Sequence, residues 1–207
     1  MDQGRRLNQL KSLAVALIAS GSRFTEELIF SPGMAIKSAN NVNLESSQTQ
    51  VLHKADREIL SQCKNMLKSG ECPPLLVVSD PVQGYIVQAD ETIKDLTFIC
   101  EYTGEVDYLK NRDCDNSYSL MMLLEATNPA EDLVICPDKF GNISRFLSGI
   151  NNFRRESRKK LNCKLVRYNV DGEMRVFIVA IRKIEKGTTL YCDYNAGGYT
   201  YPTYNFV

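Results

Sequence analysis

A chain of 207 residues with 43% apolar content has enough material to bury a core, as one domain or as a domain with a sizeable flank. Its 25 basic and 25 acidic side chains cancel, which excludes a global positive field recommending nucleic acid and equally a strongly acidic one, so only local patches count. No apolar run approaches the roughly 18 residues that cross a bilayer, and the amino terminus lacks the charged, apolar, small order of a secretory signal; an intracellular chain without membrane contact is expected. The seven cysteines contain no C-x-x-C pair, which predicts reduced thiols with neither a zinc site nor a disulfide framework.

Leu7, Leu10, Leu13, Ala14, Leu17 and Ile18 recur at three- and four-residue spacing and predict an apolar helix face over residues 5–18, ending near Gly21. Ser31-Pro32-Gly33 and Asn40-Asn41 then break the chain into an irregular segment. A second helix is predicted over Lys54 to Lys68, with Ile59, Leu60, Cys63, Met66 and Leu67 on one face; His53, the one histidine, reads as a solvated residue at its start. Glu71-Cys72-Pro73-Pro74 cannot continue a helix and marks a boundary, with a helical flank over 1–72.

Beyond it come short β-rich runs: LLVV, YIVQA, TFICEYTGEV, YSLMMLLE, DLVICP, KLVRYNV and MRVFIVAI. Asp171-Gly172 between the last two is a hairpin signal. A turn or two of helix fits between Asn152 and Leu161, where Arg154, Arg155, Arg158, Lys159 and Lys160 read as a solvated face rather than a DNA contact. The fold class expected is α+β, a β-rich unit behind a small helical flank. The end, residues 196–207, concentrates Tyr199, Tyr201, Tyr204 and Phe206, so it should pack, either on the protein's own core or over a ligand.

The chemistry is carried by blocks in a fixed order. Gly84-Tyr85-Ile86 precedes Glu101-Tyr102-Thr103-Gly104-Glu105; Tyr118 follows, then Gly141-Asn142 with Arg145-Phe146, and Asp193-Tyr194 closes. In this order, over roughly residues 75–195, the chain resembles the SET-domain family of protein lysine methyltransferases. The resemblance implies a β-rich SET fold over 73–195 whose closing strand is threaded as a C-terminal pseudoknot, one of the rare threaded arrangements. It also implies S-adenosylmethionine as cofactor, no metal, and a channel in which cofactor and lysine meet from opposite faces. By it, Tyr194 and Tyr118 are the catalytic tyrosines; Gly84, Tyr85, Ile86, Arg145, Phe146, Leu147, Ser148 and Gly149 hold the cofactor. Tyr102, Tyr191, Cys192, Tyr199, Tyr201 and Tyr204 would contact the substrate.

The chain departs from the family at three places. It has Ser148-Gly149-Ile150-Asn151 where N-H-S-C is usual, Ile86 as the third member of the glycine-aromatic-glycine turn, and Cys192 where an aromatic residue influences the degree of methylation. The first removes a zinc-ligand cysteine and leaves the aromatic tail, 196–207, to close the site. These departures, FSPGMAIKSANN and the ending YPTYNFV resemble the plant Trithorax-related histone H3 lysine monomethyltransferases. That subgroup implies a nuclear enzyme adding one methyl to lysine twenty-seven of the H3 tail on nucleosomes, with a replication clamp engaged through a segment absent here. Two alternatives stand beside it: a SET-fold module that binds a histone tail with little catalysis, and a methyltransferase of non-histone lysines.

Overall fold

The computed structural model describes residues 3–21, 54–69, 73–112, 120–170, 173–199 and 201–207. The irregular segment after the first helix, His53, Cys72, Tyr118 and the Asp171-Gly172 turn lie outside the described residues.

Helix α1 runs Gln3–Ala19 and α2 runs Lys54–Ser69. The strands are β1 (Leu75–Asp80), β2 (Gly84–Ala89), β3 (Phe98–Glu101), β4 (Glu105–Tyr108), β5 (Met121–Leu124), β6 (Leu133–Cys136) and β7 (Ser148–Gly149). The one-turn helix α3 (Arg155–Lys159) follows, then β8 (Cys163–Val170), β9 (Glu173–Ala180) and β10 (Tyr191–Cys192).

The buried stripe of α1 differs from the face that periodicity predicts. Gln9, Leu13, Ala16 and Leu17 are buried, whereas Leu7 is 64% and Ile18 68% exposed. The cause is β1, on which α1 packs. Among the described residues that strand pairs only with β2, and the Val77 N–H donates to Ser12 Oγ at 3.2 Å. Gln9 Nε2 reaches Pro73 O at 3.5 Å. Satisfying these polar groups turns Gln9 and Ser12 toward the strand and Leu7 away from it.

Hairpin β1–β2 forms one two-stranded sheet; β3-β9-β8-β10-β7 forms a five-stranded sheet and β4-β6-β5 a three-stranded one. TFICEYTGEV, read as one strand, is split between the two larger sheets. After β3 the chain turns at Tyr102–Gly104 and enters β4, which pairs with β6. A Cβ at Gly104 would stand 2.5 Å from Cys136 O, so only glycine lets the corner close against that strand. On one face of the β3–β9–β8 layer, Ile59 and Leu60 of α2 pack on Phe98, Tyr168, Phe177 and Val179. The opposite side holds the main core, including Tyr102, Val176, Ile178, Cys192 and Tyr194.

β10 lies between β7 and β8, parallel to both, with Tyr191 opposite Ser148 and Cys192 opposite both Gly149 and Cys163. The last strand thus enters between two elements laid down earlier, the crossed C-terminal arrangement that the resemblance implies. Asn162 pins the crossing: its Oδ1 accepts from Tyr191 N at 2.7 Å and its Nδ2 donates to Thr189 O at 2.8 Å.

Candidate active site

The block Gly141 to Asn152 is neither ordinary helix nor strand, as its glycines and short apolar run suggest. Asn142 Oδ1 accepts from Ser144 N at 2.8 Å and caps a 3₁₀ turn over Ile143–Phe146. Its Nδ2 donates to Glu101 O at 3.1 Å, tying the turn to the end of β3. β7 follows at once, so Leu147 to Gly149 are delivered beside β10 and the closing tyrosine.

Tyr194 is 4% exposed and is the centre of an aromatic cluster. Its hydroxyl donates to Leu147 O at 3.1 Å and accepts a hydrogen bond from the Tyr102 hydroxyl. Tyr201 meets its ring edge-on at 5.7 Å, and Phe206 does so at 6.0 Å. Burial raises the pKa values of both Tyr102 and Tyr194 well above the ordinary phenol value, and that of Tyr201 up to about 12. All three are therefore neutral phenols at physiological pH. The Tyr201 hydroxyl donates to Leu120 O and accepts from Met122 N at 2.9 Å, which fastens the tail to β5.

A cavity of about 450 Å³ opens beside this cluster. Its walls include Gln83, Tyr85, Arg145, Phe146, Leu147, Ser148, Gly149, Tyr194 and Phe206. Tyr85 and Phe146 stand edge to face at 5.8 Å. The Arg145 guanidinium is held by Pro137 O at 2.7 Å and Asp138 at 3.5 Å, so it forms a fixed part of the wall.

Most residues expected at the cofactor converge here, but Gly84 and Ile86 do not line the cavity. Gly84 has φ +78° and a Cβ there would meet no protein atom within 4 Å, so the turn dihedral favours glycine. Its turn is also closed by Asp80 Oδ1, which accepts from Val82 N and Gln83 N. The Ile86 side chain is buried in the core, so at this position an isoleucine contributes packing.

Among the residues expected at the substrate, Tyr102, Cys192 and Tyr201 join the Tyr194 cluster. The Cys192 thiol is kept protonated by its hydrogen bond to Cys163 and by burial. Tyr191 projects from the other face of β10, with Lys160 Nζ 5.3 Å from its ring centre and its hydroxyl accepting from Gln83 Nε2 at 3.2 Å. Tyr199 lies under the Arg167 guanidinium at 4.6 Å, and Tyr204 is 61% exposed.

Phe206 is the site residue that motif reading missed, and it accounts for one departure from the family pattern. A Cβ on Gly149 would fall 2.3 Å from Phe206 Cε2 and 3.0 Å from Tyr194 Cδ2. Glycine at 149 therefore admits the Phe206 ring against Tyr194. Asn151, where the family carries a zinc-ligand cysteine, holds the same tail: its Nδ2 donates to Tyr204 O and to Phe206 O, each at 3.1 Å. A glycine and an asparagine inside the block, followed by a tail phenylalanine, were the available signal.

A buried tyrosine at the crossing of the last strand, beside a cavity walled by the turn before β7, defines a SET-type site. Residues 84–195 match the SET domain, and the chain belongs to that family. It is 55% identical over its whole length to histone-lysine N-methyltransferase ATXR5 of Arabidopsis thaliana, covering 54% of that protein. It is 53% identical to histone-lysine N-methyltransferase ATXR6 of the same plant, again over its whole length and covering 59% of that protein. The chain thus spans little more than half the length of these curated relatives. A crystal structure of ATXR5 in complex with histone H3.1 mono-methylated on R26 superposes with TM-score 0.81 at 54% identity, covering 100% of this chain and 96% of the other.

Proposed function

We propose that this chain is the catalytic portion of a histone H3 lysine methyltransferase. It takes its methyl group from S-adenosylmethionine, adds one methyl to lysine twenty-seven of the H3 tail, and works in the nucleus on nucleosomes. The subgroup resemblance adds a replication clamp, engaged through a segment outside these residues, as a further partner. The observation that carries the reading is the buried, neutral Tyr194, held by its hydroxyl to Leu147 O in the wall of the cavity.

The cavity fits the cofactor on its own terms. Its volume lies in the range of about 300–1,000 Å³ usual for small-molecule sites, and it combines aromatic walls with a few polar groups. Tyr85, Phe146, Leu147, Ser148, Gly149 and Phe206 would hold it, with Tyr194 in the same wall. When bound, S-adenosylmethionine supplies an electrophilic methyl group on a sulfonium centre.

The protein's own task is to present a neutral amine in line. Free lysine has a pKa of about 10.4, so the ammonium must be disfavoured before it can react. Buried, uncharged phenols at Tyr102, Tyr194 and Tyr201 make a desolvating wall that does this. The Tyr194 oxygen, already donating to Leu147 O and accepting from Tyr102, cannot rotate freely, and its remaining lone pair is oriented in advance. Tyr118 is proposed as the second wall. Although Cys192 is small, the Tyr201 ring packed on Tyr194 occupies space near the site, which favours one methyl over several.

Mass spectrometry of an H3-tail peptide incubated with excess cofactor tests the proposal. A single methyl at lysine twenty-seven is expected, and accumulation of di- or trimethyl product overturns the single-methyl reading. Signal confined to non-histone peptides overturns the substrate. No product, together with no calorimetric binding of S-adenosylhomocysteine at millimolar concentration, leaves a histone-tail binding module instead.

A further inference from the structure

The loop from β7 to β8 has two sides. Inward, Asn151 holds the tail through the carbonyls of Tyr204 and Phe206, and Asn152 Nδ2 donates to Asp193 Oδ1 at 2.9 Å. Outward, the same loop carries α3 and a concentration of positive charge in a chain whose formal net charge is zero. Between residues 154 and 160 there are five cations and one carboxylate.

That carboxylate, Glu156, is engaged by Lys159 Nζ at 2.7 Å. Lys160 Nζ is directed to Val207 O at 3.3 Å and the Tyr191 ring. The side chains of Arg154, Arg155 and Arg158 are exposed and have no carboxylate partner among the described residues. Their spacing, i to i+3 and i to i+4 on one helical turn, brings the three guanidinium groups to a common surface while Ser157 faces inward. Arg182 adds a fourth guanidinium from the end of β9: its Nη2 donates to Lys159 O at 2.9 Å and to Lys160 O at 3.0 Å, so it stands beside α3 and stiffens it. Phe153, at the head of the cluster, is 77% exposed.

We infer that this surface is a docking site for the sugar-phosphate backbone of duplex DNA. The inference rests on the reading of H3 as substrate, because duplex DNA is the polyanion that accompanies an H3 tail on a nucleosome. Isolated arginines would be an ordinary solvated face; three guanidiniums on a short outward-facing turn, without carboxylate partners among the described residues and with Arg182 beside them, form a positive patch in a chain whose remaining residues carry more carboxylates than cations. Duplex DNA presents one phosphate charge per about 1.7 Å of axis and displaces condensed counter-ions when cations approach, so it rewards such a cluster without a groove or base contact. Because the cluster sits on the loop that clamps the tail, a duplex held there fixes the orientation of the Tyr194 site relative to the nucleosome.

Fluorescence anisotropy with a labelled duplex of random sequence, over a series of salt concentrations, tests the proposal on the wild-type chain and on the triple variant Arg154→Ala, Arg155→Ala, Arg158→Ala. Each phosphate contact contributes about 0.9 to the slope of log affinity against log salt, so the slope should become shallower by about 2.7 in the triple variant. Triple replacement by lysine should restore most of it. Methylation of a free H3 peptide should be unchanged, while methylation of nucleosomes should fall and its dependence on salt should weaken with the slope. An unchanged slope overturns the inference. So does loss of nucleosome binding with naked-DNA binding intact, which would assign the cluster to an acidic histone surface. If wild-type protein methylates neither peptide nor nucleosome, the enzyme reading fails, and the slope measurement still decides the DNA surface.

Discussion

Replacing Asn151 by alanine should release the C-terminal tail while leaving the β core folded. Asn151 is 2% exposed and makes three hydrogen bonds: Nδ2 to Tyr204 O and Phe206 O at 3.1 Å each, and Oδ1 from Phe153 N at 2.9 Å. At a net of about 0.5–1.5 kcal/mol per bond, loss of the two bonds that hold the tail weakens the clasp by roughly 1–3 kcal/mol. A middle value of about 2 kcal/mol shifts the ratio of docked to released tail by roughly thirtyfold. The remaining attachments include Asn152 N to Thr203 Oγ1 at 3.3 Å, Ser157 Oγ to Val207 O at 2.9 Å, Lys160 Nζ to Val207 O at 3.3 Å, Asn195 Nδ2 to Tyr201 O at 3.2 Å and the Tyr201 hydroxyl bonds to β5. Native-state hydrogen exchange reads the effect: the amides of Thr203 and Phe206, which bond to Tyr201 O and Thr203 O, should exchange up to roughly thirtyfold faster. Amides of the β8–β9 ladder should change by much less. Methyl transfer should fall in parallel, and deletion of Tyr199 to Val207 should lose it while sparing the ladder. Tail amides exchanging at the wild-type rate, or full activity in the deletion, would refute the reasoning.

Tyr194→Phe removes one hydroxyl and little volume, and should cost about 2.7–4 kcal/mol in the transition state, a hundredfold or more in rate, with the fold retained by circular dichroism; wild-type turnover would remove Tyr194 from the mechanism. Gly149→Ala should force the Phe206 ring away from Tyr194, since the added carbon would lie 2.3 Å from it, and should reduce affinity for S-adenosylhomocysteine in calorimetry; pairing it with Phe206→Ala should relieve the clash without restoring the wall. Glu101 is fully buried on the face covered by α2, its carboxyl oxygens have no hydrogen-bond partner among the described residues, and burial raises its pKa to about 8 despite Arg175 at 3.6 Å. A folded pKa above the unfolded value means that its contribution is complete below about 4.5 and is lost as pH rises to about 8. Denaturant midpoints should therefore decline across that window in the wild-type chain and be flatter in Glu101→Gln; identical pH profiles would show that the carboxyl does not titrate there.

Local features of the chain determined much of this protein. The β-branched runs became strands, the interrupted Gly141–Asn152 block became a 3₁₀ turn with a two-residue strand, and the order of Gly84-Tyr85, Glu101-Tyr102, Arg145-Phe146 and Asp193-Tyr194 specified the family. Each of these depends on residues near one another in sequence, where propensity, glycine dihedrals and spacing act directly. Tertiary structure decided what depended on distant partners. Which face of α1 is buried followed from unpaired main-chain groups on β1, and periodicity alone placed Leu7 and Ile18 inward. The break of TFICEYTGEV at Gly104 followed from the approach of Cys136 in another strand. Why Gly149 replaces a histidine became visible only when Phe206, from the end of the chain, was found against Tyr194. Steric exclusion and hydrogen-bond completion act between atoms that touch, and a linear sequence does not say which distant atoms those will be.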